Sequence, residues 1–246
     1  MGKIHFGNTE ALCADDLSVV IDRRERTGGC TDTERRTGGV TRSRLPQVRA
    51  RARHRNSALR KRVEELPSPT MATNLLKNPC GEEQLECWEI TENGGSEWRV
   101  EEMPGDCGHA ICDEAMTKYF ATSFELCLKK QVVDLLAEGF QADALDAQPP
   151  VTVEDWYCGR SDCGCTYQLS VSLLDENQEI LQEFKPDNVT LDPDSDDCSW
   201  RQVTHTFSDY GPGLRFISFE HGGQDSKFWD GWFGVRVTGS SVTVQA

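Results

Sequence analysis

Large aromatic side chains are almost absent from the first third of this chain. All six Trp, all four Tyr and every Phe except Phe6 lie beyond residue 72. The charge changes at the same place. Residues 1–72 hold 15 Lys and Arg against 9 Asp and Glu, whereas residues 73–246 hold 11 against 32. A segment with almost no aromatic residues cannot bury enough surface to offset the entropy of ordering. Residues 1–72 are therefore expected to be a basic, disordered segment, and residues 73–246 the folded domain. Within the front segment, Thr41 to Arg62 carries nine basic residues and no acidic one. A solvated tail, a nuclear address and a polyanion-binding tail all fit that pattern.

The acidic part argues against nucleic acid as a ligand, because phosphate binding needs clustered Lys and Arg. The longest apolar stretches, such as Gln131 to Leu136, fall far below the roughly 18 residues that a membrane-spanning helix needs. The first 30 residues lack the apolar core and small-residue cleavage site of a secretory signal. A cytoplasmic protein is expected. In a reducing compartment its 11 Cys read as small hydrophobes with free thiols. The nearest approach to a metal motif is Cys158-Gly-Arg-Ser-Asp-Cys163-Gly-Cys165, with one close pair and no His nearby, so zinc is not expected.

Beyond residue 73 the pattern is one of short extended runs between Gly, Pro, Asp and Asn. Tyr167-Gln-Leu169-Ser-Val171-Ser-Leu173 alternates strictly, as a half-buried strand requires. Asp175-Glu-Asn177 supplies a turn and Ile180 to Phe184 the returning strand. Further strands are expected at Lys130–Leu136, Val151–Tyr157, Trp200–Phe207, Leu214–Phe219, Val235–Thr238 and Val242–Val244, with one brief helix at Phe140–Asp146. The expected class is all-β, an antiparallel β-sandwich of jelly-roll or galactose-binding-like form with one or two short helices.

Catalytic signatures are missing. His205, Ser208 and Asp209 share a segment, but a triad is defined by geometry, and strand-end polar residues are the plainer reading. No Gly-x-Ser-x-Gly, phosphate-cradling loop or His-Glu-x-x-His occurs. The loop Leu191-Asp-Pro-Asp-Ser-Asp-Asp-Cys198 lacks the Gly-centred arrangement of a calcium loop. A binding module without catalytic, cofactor or metal residues is expected. The informative stretch is His221-Gly-Gly-Gln-Asp-Ser-Lys-Phe228-Trp229-Asp230-Gly-Trp232-Phe233-Gly234. Its glycines permit tight turns. Trp232 and Phe233 are expected to face the core, and Phe228 and Trp229 to leave it for a loop rim. There they could stack on a flat ligand or a sugar face, beside a carboxylate that accepts hydrogen bonds from hydroxyls.

Several motifs in order, Asn74-Leu-Leu-Lys-Asn-Pro-Cys-Gly-Glu-Glu83, Trp98-Arg-Val-Glu101, Tyr119-Phe-Ala-Thr-Ser-Phe124, Val133-Asp-Leu-Leu-Ala-Glu-Gly139, Asp209-Tyr-Gly-Pro-Gly213 and the aromatic stretch, resemble the F-box-associated (FBA) domain of the sugar-recognising F-box only proteins. The resemblance implies a β-sandwich that binds the inner chitobiose of high-mannose N-glycans on misfolded glycoproteins, for delivery to a ubiquitin ligase. By motif it assigns stacking to Phe124, Phe228 and Trp229, hydroxyl hydrogen bonding to Asp162, and a place in the site to Asp230. Phe228 stands where a Tyr is typical, and Asp230 where a Lys is typical.

Residues 1–72 contain only Glu64-Glu-Leu-Pro67 of an F-box pattern, with no apolar helical run after it. Docking to the Skp adaptor and cullin by the usual route is therefore not expected, as in the F-box-less non-specific cytotoxic cell receptor protein. Two alternatives stand beside a free lectin. One is a Skp-cullin-F-box substrate subunit with a degenerate sugar site, and the other is a protein-interaction domain.

Overall fold

The computed structural model describes residues 73–245; the expectation of disorder for residues 1–72 lies outside them. The described chain forms eleven strands and one short helix in two antiparallel sheets. The first sheet has the order β1 (Glu89–Asn93), β4 (Cys127–Asp134), β10 (Phe216–Asp225), β6 (Cys165–Leu174), β7 (Ile180–Phe184), with β8 (Val189–Leu191) also paired to β6. The second has the order β2 (Arg99–Glu102), β3 (Lys118–Ala121), β11 (Arg236–Val244), β5 (Val151–Cys158), β9 (Arg201–Phe207). This is the all-β sandwich that the alternating runs imply. The helix, α1 (Ala142–Asp146), buries Leu145.

Tyr167, Leu169, Val171 and Leu173 all point inward and are buried, as strict alternation on β6 dictates. The Asp175 carboxylate accepts the Asn177 and Glu179 N–H groups and closes the turn into β7. Two of the expected strands, 235–238 and 242–244, prove to be one. β11 runs through both, with an irregularity between Thr238 and Ser241 that hides the alternation. Gly222 and Gly223 lie inside β10 instead of in a turn. Their φ angles are +153° and +156°. A Cβ at either would collide with the Cys127 or Thr166 carbonyl of the neighbouring strand, so only glycine lets these strands approach.

The core between the sheets is not purely apolar. Asp155, fully buried, accepts hydrogen bonds from Tyr167 Oη at 2.6 Å and Ser240 Oγ at 2.8 Å, and pairs with His221 Nδ1 at 2.6 Å. Lys129 is also fully buried. Its ammonium lies 3.1 Å from the Trp88 ring centroid and 3.7 Å from that of Phe120, with no hydrogen-bond acceptor among the described residues.

Candidate functional site

Four loops meet at one end of the sandwich. They are the β1–β2 loop, the β3–β4 loop, the β5–β6 loop and the β10–β11 loop. Ser123 Oγ, in the second, accepts the Ser96 N–H at 2.7 Å and donates to the Gly231 carbonyl at 2.8 Å. Ser96 Oγ donates to Asp230 Oδ1 at 3.0 Å and accepts the Gly231 N–H at 3.1 Å. The Ser226 N–H donates to the Gly164 carbonyl at 2.9 Å, which ties in the β5–β6 loop. Two serines therefore hold loops more than a hundred residues apart in sequence.

The β10–β11 loop starts at Asp225, which is buried and whose Oδ1 accepts the N–H groups of Lys227 at 2.8 Å and Phe228 at 2.6 Å. That turn puts Phe228 at φ +56°, a left-handed conformation that costs a non-glycine residue energy. It also turns the ring out of the fold. Phe228 is 68% exposed and Trp229 44%, and both belong to the few large hydrophobic side chains exposed among the described residues. The expectation that they leave the core matches their placement.

Trp232 and Phe233 do not sit in the core as expected; both are half-buried. Each packs against a cation instead. The Arg99 guanidinium lies 4.5 Å from the Trp232 ring centroid, and the indole N–H donates to the Glu97 carbonyl at 3.2 Å. The Arg160 guanidinium lies 4.6 Å from the Phe233 centroid, and the Phe233 ring meets Trp229 edge-to-face at 5.4 Å. The same guanidinium grips Asp162 through Nε and Nη2, both at 2.7 Å. That fork holds the Asp162 carboxyl below the usual carboxylate range. Arg160 thus joins Asp162 to the aromatic pair Phe233 and Trp229.

Phe124 is half-buried, its ring against Gly95, where a Cβ would press on two ring carbons. The structure therefore brings all five residues singled out by sequence, Phe124, Asp162, Phe228, Trp229 and Asp230, onto these connected loops. Arg160, Phe233, Ser96 and Ser123 complete the arrangement. Of these, Phe233 stood in the aromatic stretch, Ser123 in the Tyr119–Phe124 motif and Arg160 in the Cys158–Cys165 stretch, whereas Ser96 carried no signal.

Other candidate chemistries find no geometry. No hydrogen bond joins His205, Ser208 and Asp209 among the described residues, and His205 instead stacks on Phe184 at 4.1 Å. No group of three or more His, Cys, Asp or Glu could hold a metal ion among the described residues. Cys158, Cys163 and Cys165 are buried, and burial pushes the Cys163 thiol up to about 11. In the Asp192–Asp197 loop, Asp196 is taken by Arg201. No described helix is long and apolar enough to cross a membrane.

Residues 68–244 match the family described as FBA, F-box associated region. The chain belongs to this family. F-box only protein 2 of Bos taurus is 58% identical over 174 residues, which cover 70% of this chain and 59% of that protein. F-box only protein 6 of Homo sapiens is 48% identical over 172 residues, 70% of this chain and 58% of that protein. The FBA chain described here thus spans about three-fifths of the length of these relatives. Among solved structures, TmCBM61 in complex with beta-1,4-galactotriose is 14% identical and aligns over 71% of this chain and 100% of its own with a TM-score of 0.44. A likeness at that level carries no argument about ligands.

Proposed function

We propose that this FBA domain is a lectin-like module that binds the inner chitobiose of high-mannose N-glycans on glycoproteins, in the cytoplasm, as part of recognition for ubiquitin-dependent degradation. The observation that carries the reading is the exposed Phe228–Trp229 pair on a strained turn, beside the carboxylate of Asp230 and linked to that of Asp162 through Phe233 and Arg160. Rings held out in water offer stacking faces for the apolar side of a sugar, and ionised carboxylates accept hydrogen bonds from its hydroxyls. In this reading Phe124, Phe228 and Trp229 stack, Asp162 and Asp230 bind polar groups, and the site binds without catalysis. Residues 73–246 form the binding module, and residues 1–72 a separate basic segment.

Asp230 favours a second reading. Its carboxylate stands where the family resemblance leads one to expect a Lys, and Ser96 anchors it. A site altered in this way suits a protein-interaction domain, including a ligase substrate subunit with a degenerate sugar site. A glycan array comparing wild type with Trp229→Ala separates the two. Chitobiose binding that is lost in Trp229→Ala supports the lectin. A wild type that retains no glycan, while Skp and cullin co-purify with it, supports the second.

A further inference from the structure

Among the described residues β2 is an edge strand, paired only with β3. Facing residues in an antiparallel ladder alternate between those that exchange hydrogen bonds and those that do not. The Met103 N–H donates to the Thr117 carbonyl at 2.8 Å, one step beyond the Glu102–Lys118 register pair. Glu101 and Arg99 therefore also bond to β3. The N–H and C=O groups of Val100 and Glu102 face outward, and no strand or loop among the described residues bonds to them.

That edge is open along its length. One cleft of about 530 Å³ runs beside Trp98, Arg99 and Val100, and a second of about 360 Å³ beside Arg99 through Glu102. They share Arg99 and Val100, so together they follow the strand. The walls are acidic. Glu86, Glu102 and Asp106 form no ion pair among the described residues, and Arg99 is the one cation on the walls. The groove also begins at the candidate site. The loop that anchors Asp230 through Ser96 leads directly into β2, and Arg99 at its start stacks on Trp232.

We propose that β2 accepts, as an added strand, the extended polypeptide that flanks the glycosylated Asn of a target, with preference for Lys and Arg. The inference rests on the sugar reading above. A sugar bonded to Asn brings its own peptide to the edge at high effective concentration, so few backbone bonds suffice. An exposed edge with unpaired backbone groups is a template for such pairing, and the carboxylates select the charge.

Calorimetric titration with three ligands tests it: free chitobiose, chitobiose on the Asn of an extended Lys-rich peptide, and the same sugar on a Glu-rich peptide. The Lys-rich glycopeptide is expected to bind about tenfold tighter than free chitobiose, as a few added main-chain hydrogen bonds would give. Glu102→Pro removes an outward N–H while costing β2 no bond to β3. It should bring the glycopeptide down to the affinity of the free sugar and leave free chitobiose unchanged, whereas Glu102→Ala keeps most of the gain. Equal affinities for all three ligands overturn the strand-addition proposal alone. No binding of any ligand overturns it together with the sugar reading. Should Glu102→Pro not fold, amide exchange of wild type decides: protection of Val100 and Glu102 by the glycopeptide but not by chitobiose is expected, and its absence overturns the proposal.

Discussion

Replacing Arg160 by Lys keeps the charge and removes the planar fork. The bidentate grip on Asp162 and the flat contact with Phe233 both depend on that plane. An ammonium can reach one carboxylate oxygen, but it cannot also lie flat beneath a ring. Arg160→Lys is therefore expected to weaken chitobiose binding about tenfold, with a modest fall in melting temperature, because the Arg160 side chain is buried and loses one of its two hydrogen bonds to Asp162. Full affinity in the variant would mean that Asp162 and Phe233 hold themselves in place. The residues with a motif around them, Phe124, Asp162, Phe228 and Trp229, were legible in the sequence. Their supports were not. Ser96 meets Asp230 across 134 positions, and Arg160 meets Phe233 only through the sandwich. Nor could composition indicate that Trp232 and Phe233 would pack against guanidinium groups.

Strands with strict alternation were legible as elements, and β6 and β7 were read with their turn. β1, β2, β3 and β8 were not anticipated, because each has five residues or fewer and carries charged or polar side chains. Among the described residues β1, β2 and β8 pair on one side only, where packing leaves little hydrophobic pattern to read, and β3, though inside its sheet, is too short to show one. β4 misleads more deeply. Its inward positions are Cys127, Lys129, Gln131 and Val133, while the apolar Val132 faces out. Burial pulls the Lys129 pKa well down. Ring contacts each contribute about 0.5–2 kcal/mol, whereas desolvating an ammonium costs several kcal/mol. The rings do not win that comparison, and Asp155 is already engaged by three other side chains. Lys129→Met, close in length and apolar, is expected to leave the melting temperature unchanged or raise it by a few degrees. A clear drop in thermal denaturation would mean that the caged cation holds the two sheets in place.

For the whole molecule, the same buried groups set how stability depends on pH. Burial lowers the pKa of His221 and His205 below 6.5 and that of Lys129 below 10.5. In each case the unfolded chain binds a proton that the folded chain refuses, so stability falls as pH falls. For the histidines this loss begins as pH drops through about 6.5. Asp146, Asp162, Asp175 and Asp196 have lowered pKa values, so their contribution is present above about 3.9 and is lost only below it. Between about pH 6.5 and 5 the histidines therefore add to the descent that Lys129 starts at higher pH. The acidic charge acts in the opposite direction, because acid relieves its repulsion, but salt near 0.15 M screens that effect to within about 8 Å. His205 allows the two to be separated. It lies parallel to Phe184 at 4.1 Å and edge-on to Phe207 at 4.6 Å, a place where a Phe ring fits without titrating. Melting curves of wild type at pH 8 and pH 5.5 in that salt should differ by several degrees. His205→Phe should match wild type at pH 8 and lose part of the difference at pH 5.5, the remainder belonging to His221 and Lys129. An undiminished difference in the variant would remove His205 from the account and leave the acid sensitivity to the buried His221 and Lys129.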